Sequence, residues 1–354
     1  FGWRLWRKDA YRGTSNAERH GRPHFASVYY CQFRPGQELR GLAPWWLCLA
    51  IVSLDEAKKI PGFQPDTSGP RPLASVFSYE EWATRSRPLN VPSFNHASRF
   101  AQWQNEQRRR FRQRLVFRYD EKPTFKPFGE PVDRGPFTQQ EYHVLVDGRR
   151  LFRFFRLEPN RRARPATSQP RPGRDRLPTI VCFMGHGKVR QILDEPDSYQ
   201  HACAARLAEQ GYLVFAMENV GMEPHRDTHL ELDRILRLDG YGWYSLLFAH
   251  QLMLLDFVFA DARVDTNRVG VTGVSTGGLL ALTAAALDKR VAAASVQGIF
   301  GSMRVSFIRD RRRHCPCGAI PSLLPDFDLP ELALLVAPRP IHISNAAHDG
   351  FGPT

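Results

Sequence analysis

The chain is poor in cysteine and methionine, has no apolar run long enough to cross a bilayer, and contains no repeat of solenoid or propeller period. Six cysteines (31, 48, 182, 203, 315 and 317) among 354 residues are too few for a disulfide-stapled scaffold. Cys182 and Cys203 fall in an apolar strand and on a helix face, which predicts small core residues. Only Cys315-x-Cys317 beside His314 has a metal-like spacing, and two thiols with one imidazole fall short of the four ligands of structural zinc. No metal site is expected on this reading. The longest apolar run, residues 44–54, is about half the length of a membrane span. It reads as a core element, and no membrane span is expected. Its distance from the first residue also argues against the apolar part of a signal peptide. No methionine precedes Met184 and the chain opens on Phe1, so a fragment is expected and localisation stays open.

Acidic residues are outnumbered. Lys+Arg total 49 against 36 Asp+Glu, a net charge of +13, which would suit a nucleic-acid binder if the charge lay on one face. Instead the arginines crowd at 108–114, 149–175 and 304–313, separated by ordinary sequence. No helix-turn-helix, zinc-finger or RNP pattern accompanies them, so they read as solvated surface and linker, and no nucleic-acid partner is expected.

What is present is a composition 42% hydrophobic and 12% aromatic, ordinary for a packed globular protein. Residues 1–92 show no sustained period and form an N-terminal extension of unassigned fold. From residue 93 the pattern sharpens. Ser93 can cap a helix in which Phe94, Ala97, Phe100, Ala101, Phe111 and Leu115 recur at helical spacing. Residues 142–146 and 150–157 flank Asp147-Gly148 and read as a β-hairpin. After an exposed Pro- and Arg-rich loop (158–176), apolar strands alternate with helices. Strands are predicted at 178–184, 212–217, 268–272, 291–296 and 340–344, and helices at 198–210, around 244–258 and at 277–287. Continuous apolar strands separated by helices predict a doubly wound, mostly parallel sheet covered on both faces, an α/β architecture over residues 93–354.

Between the strand at 268–272 and the helix at 277–287 sits Gly273-Val274-Ser275-Thr276-Gly277-Gly278. Three fixed residues alone are weak evidence, but here a strand enters, a helix leaves, and glycines supply the space that a sharply turned serine needs. This singles out Ser275 as a nucleophile at a helix N-terminus. Acyl transfer also needs donors aimed at the oxyanion, each worth on the order of 3 kcal/mol of barrier. The Thr276 amide is one candidate. The loop Met184-Gly185-His186-Gly187-Lys188 offers the other from Gly187 or Lys188, with His186 read as shaping that loop and as a weaker rival for the base. The order serine, acid, histidine selects Asp349, after the last predicted strand, as the acid. No histidine follows it, since His348 adjoins it and His314 and His342 precede it. The catalytic histidine is therefore expected beyond Thr354.

The residues around Gly185-His186-Gly187, the run from Val264 to Gly278, and Leu335-Val336-Ala337-Pro338-Arg339-Pro340 resemble the dienelactone-hydrolase-related, acetyl-xylan-esterase-like branch of the α/β-hydrolases. The resemblance covers about residues 93–354. It implies an α/β-hydrolase fold and hydrolysis of small carboxylic esters, with acetyl groups on sugars among the candidates, and neither metal nor organic cofactor. Ser275 maps to the family's nucleophile and Asp349 to its acid. Dienelactone hydrolase itself uses cysteine, so the serine argues against that substrate. The segment from Cys315-Pro316-Cys317-Gly318 to Asp328 resembles a loop that such enzymes place near the pocket mouth. A peptidase of prolyl-oligopeptidase type shares this domain but needs a propeller for which residues 1–140 are too short. A non-catalytic binding relative would have lost its nucleophile, and this chain has not.

Overall fold

The computed structural model describes residues 29–31, 96–160, 176–223, 226–309, 314–324 and 326–345. In chain order the main elements are β1 (Tyr29–Cys31), α1 (Ala97–Leu115), β2 (Thr124–Asp133), β3 (Phe137–Val146), β4 (Arg149–Pro159) and β5 (Leu177–Phe183). There follow α2 (Arg190–Leu193), α3 (Cys203–Glu209), β6 (Leu213–Met217), the small ribbon β7 (Met222–Glu223) and β8 (Arg226–Asp227), α4 (His229–Leu236) and α5 (Trp243–Ala260). The last are β9 (Val264–Val274), α6 (Thr276–Leu287), β10 (Ala293–Gln297), α7 (Leu329–Val336) and β11 (Ile341–Ser344).

The main sheet runs β1-β11-β10-β9-β5-β6-β4-β3-β2. Its centre, β11-β10-β9-β5-β6, is parallel. These strands are buried apolar runs, as in Leu213–Met217 where every residue is buried, which is what helices on both faces demand. The antiparallel meander β4-β3-β2 extends one side, and β1 pairs antiparallel with β11 at the far edge. The doubly wound expectation is thus met. The chain goes from β5 to β6 on one side and later to β9 on the other, so the strand order reverses beside β5. In sheets of this kind ligands bind off the carboxyl ends of the strands at such a reversal. That point lies where Phe183 and Val274 leave the sheet.

The hairpin forms as its turn chemistry predicts. Asp147 (φ 48°) and Gly148 (φ 70°) are both left-handed, the condition for the turn that matches strand twist. Three expectations need correction. The helix expected at 198–210 begins only at Cys203, because His201 and Ala202 both take positive φ. β2 is absent from the expected strands, since Pro127, Gly129 and Pro131 interrupt it. It survives as an exposed edge strand with an irregularity between Phe128 and Val132, where missing donors face solvent. In α1 the buried stripe is Gln104, Arg108, Phe111 and Leu115, while Ala97 and Ala101 are exposed; Ser93 and Phe94 lie outside the described residues.

The reason for that stripe is polar. Gln104 Nε2 donates to the Leu334 and Ala337 carbonyls at 2.7 and 2.8 Å. Arg108, solvated surface on the sequence reading, is instead buried, with Nε on the Ala286 carbonyl and Nη2 on that of Leu335. Both residues satisfy the open carbonyls at helix ends. The expectation that no apolar run is long enough to cross a bilayer is corrected by α5, which by length and composition could do so, yet Trp243, Leu247, Phe248, Leu254, Leu255 and Val258 are buried in this core.

Candidate active site

Ser275 stands between β9 and α6 with φ 58° and ψ −122°, a conformation that costs an L-residue of order 1–3 kcal/mol and that surrounding packing must impose. The packing is backbone against backbone. A Cβ on Gly273 would lie 2.3 Å from the Gly277 carbonyl group, and one on Gly277 would lie 2.1 Å from the Phe183 oxygen. A Cβ on Gly278 would meet the Gln297 oxygen at 2.6 Å. The Ser275 amide donates to the Gln297 carbonyl at 2.8 Å, which locks the turn to β10. The serine hydroxyl makes no hydrogen bond among the described residues.

Thr276 opens α6, so its amide has no intrahelical acceptor. The loop after β5 lies against this turn: a Cβ on Gly185 would fall 2.8 Å from the Val274 oxygen. The Gly185 amide donates to Gln200 Oε1 at 2.6 Å, and Tyr199 donates its hydroxyl to the His186 carbonyl at 2.6 Å. Gly187 has φ 138° and a Cβ there would strike Gln191. The amides of Gly187 and Lys188 have no acceptor among the described residues, while Lys188 Nζ donates to the Glu223 carbonyl at 2.5 Å.

The His186 side chain bonds Thr276 and Cys317, not Ser275. Its Nδ1 is 2.6 Å from Thr276 Oγ1, which in turn lies 2.8 Å from the buried Tyr244 hydroxyl. Its Nε2 is 3.3 Å from Cys317 Sγ. His314, next to the cysteines in sequence, bonds Ser306 Oγ at 2.6 Å, and His342 bonds Ser295 Oγ at 2.8 Å. Asp349 and His348 lie outside the described residues. β11 carries the chain to the same sheet edge as Ser275, and Asn345 fixes its exit through two bonds to the Phe300 backbone.

Sequence reasoning missed one group. Besides His186 and Cys317, His229 at the start of α4 and Cys315 reach the same spot, with His229 Nε2 at 3.3 Å from Cys315 Sγ and the two sulfurs 3.0 Å apart. The Cys317 S–H bond, opposed by burial and reinforced by both imidazoles, pulls the Cys315 thiol well below its usual value, whereas the same bond and burial push Cys317 up. Burial opposes the charge on His229, but its bond to Asp227 and that to Cys315 outweigh it and raise the pKa.

A family model described as acetyl xylan esterase (AXE1) matches residues 153–304, the stretch from β4 through the elbow to the segment after β10. Over that stretch the chain is similar to acetyl-xylan-esterase-like α/β-hydrolases. A curated relative, "Putative hydrolase YtaP" of Bacillus subtilis (strain 168), is 25% identical over 243 residues, 66% of this chain and 81% of that protein. The crystal structure of a "putative acetyl xylan esterase" from Bacteroides fragilis NCTC 9343 superposes with a TM-score of 0.60 at 17% identity, covering 75% of this chain and 74% of that one. The family match supports an esterase and the curated relative a hydrolase, and the superposition shows the fold.

Proposed function

We propose that this hydrolase is a serine esterase acting on small carboxylic esters, acetyl esters of sugars among them. The observation that carries the reading is Ser275 itself: a positive-φ serine at the switch point of the sheet, its hydroxyl outside every described hydrogen bond, heading a buried helix. Ser275 Oγ attacks the ester carbonyl and gives up its proton as the alcohol leaves. Water then adds to the acyl-enzyme, releasing the acid and restoring the hydroxyl. The amides of Thr276 and of Gly187 or Lys188 hold the oxyanion, each worth about 3 kcal/mol of barrier. Asp349 orients the base. In the order serine, acid, histidine that base is a histidine following Asp349; His186, His314 and His342 bond Thr276, Ser306 and Ser295 rather than Ser275.

In the full-length protein, an organophosphonate should label Ser275, and Ser275→Ala should lower hydrolysis of p-nitrophenyl acetate at least about a thousandfold with an unchanged melting temperature. A label on another serine, or retained turnover, sinks the assignment.

A further inference from the structure

Four ligand atoms from three separate stretches of chain meet beside the elbow. His186 Nε2, His229 Nε2, Cys315 Sγ and Cys317 Sγ all lie within 4.8 Å of one another, and His229 and Cys317 are buried. We propose that these side chains form a tetrahedral zinc site that ties the loop after β5 to the Cys315–Cys317 turn and to α4. Two thiolates and two imidazoles are the donor set that Zn2+ takes in closed structural sites.

The outer contacts agree with that set independently. A ligating imidazole ordinarily gives its other N–H to an acceptor, which fixes its tautomer and aim. Both do so here: His186 Nδ1 faces Thr276 Oγ1 at 2.6 Å, and His229 Nδ1 faces Asp227 Oδ1 at 2.5 Å. Both Nε2 atoms are thereby left for the common centre. Trp243 walls the site, its ring 5.7 Å from His186 and 5.1 Å from His229 between centroids. Zinc bonds of about 2.0–2.3 Å set ligand separations of about 3.4–3.8 Å in a tetrahedron. The two 3.3 Å contacts need open by only a few tenths of an ångström. The 3.0 Å sulfur pair must open further, by less than about 1 Å. On binding, both thiols release their protons to solvent, and two thiolates neutralise the Zn2+ charge.

Distance along the chain hides this set from a reading of the sequence. His186 and His229 are far from the cysteines, so the pair Cys315-x-Cys317 looks two ligands short. With four protein ligands the centre keeps no open position, which marks it as structural and positioning. Its bearing on Gly187 and Lys188, one and two residues beyond the ligand His186, rests on the oxyanion reading above; metal binding does not.

The full-length protein, dialysed against metal-free buffer, should retain about one equivalent of zinc by plasma mass spectrometry. Exchange for Co2+ should give the intense visible bands of a tetrahedral centre and a thiolate-to-cobalt charge-transfer band. Cys315→Ser and His229→Ala should each lose at least about tenfold in retained metal. Should those variants fail to fold, titration of the wild-type thiols with a mercurial should release one zinc as the Cys315–Cys317 pair reacts. Metal-free protein with both thiols freely reactive, or a Cys315–Cys317 disulfide in the unreduced protein, overturns the site. Zinc found in a protein whose Ser275 is never labelled would leave the site standing and refute the esterase mechanism alone.

Discussion

At its C-terminal end α6 meets three guanidinium groups, and at its N-terminal end it meets none among the described residues and carries no acid in its first turn. Arg108 donates to the Ala286 carbonyl at 2.7 Å, Arg112 to that of Leu287 at 2.9 Å, and Arg339 to that of Ala285 at 2.6 Å. Arg339 also holds the Asp288 and Val291 carbonyls at 2.9 and 2.7 Å. The crowding has a cost: burial, then the like charges of Arg339 and Arg112, pull Arg108 down to about 10. At the other end Ser275 offers no side-chain cap. Neighbouring α7 shows the ordinary solution, with Asp328 accepting from the Leu329 amide and Glu331 from the Asp328 amide. A helix buried along its whole length, as all twelve residues of α6 are, leaves its terminal groups little water to turn to. Saturating one end and leaving the other open directs the free donors and the positive end of the dipole at whatever binds beside Ser275.

The sharpest way to break this contrast is at the open end. Gly277→Ala places a methyl 2.1 Å from the Phe183 oxygen, where neither backbone can retreat. The loss should exceed the roughly 1–3 kcal/mol of ordinary overpacking and appear as a collapse of soluble yield or a melting transition lowered by many degrees. A wild-type melting curve would mean that the elbow is looser than described.

At the saturated end, Arg339→Met leaves several carbonyls without donors and should cost about 2–4 kcal/mol by chemical denaturation. The ends of a twelve-residue helix are roughly 18 Å apart. The penalty should therefore add to that of Ser275→Ala within about 0.5 kcal/mol, and ester turnover per folded molecule should not change. Strong non-additivity would show that the arginines act on the elbow itself.

The smallest effect concerns α7. Burial pushes Glu331 up to about 7. A carboxyl whose folded pKa is raised contributes stability that is fully present below its unfolded pKa, about 4.3, and is lost as pH rises through the folded value. Glu331→Gln should match wild type near pH 4 and exceed it near pH 8 by about 2 kcal/mol, after discounting for its partial exposure, several degrees in melting temperature. An equal slope in both proteins between those pH values would show that the carboxyl titrates normally.

Legibility in the sequence tracks how local each feature is. The elbow is six consecutive residues, Gly273 to Gly278, whose glycines touch backbone from Phe183 and Gln297, so strand, turn and helix announce it together. The Asp147-Gly148 hairpin is readable for the same reason. Arg108 and Arg112 look solvated on the sequence because spacing cannot reveal that helix ends lie beside them. The metal-like cluster fails most plainly: His314, adjacent to the cysteines, turns to Ser306, and the imidazoles come from His186 and His229. β2 is hidden by prolines that are tolerable only because it is an edge, and an edge is a tertiary fact.

The pairing of β1 with β11 joins Tyr29 to Ile343, and loop closure over a separation of roughly 300 residues is entropically disfavoured until the intervening sheet exists. During synthesis β11 therefore emerges with a bare row of amides and carbonyls, and its partner, already made, must wait for the whole parallel centre to assemble. That interval is when a strand from a second copy could take the same place. The opposite edge needs no such late guardian, because Pro127 and Pro131 in β2 blunt it from the moment it forms.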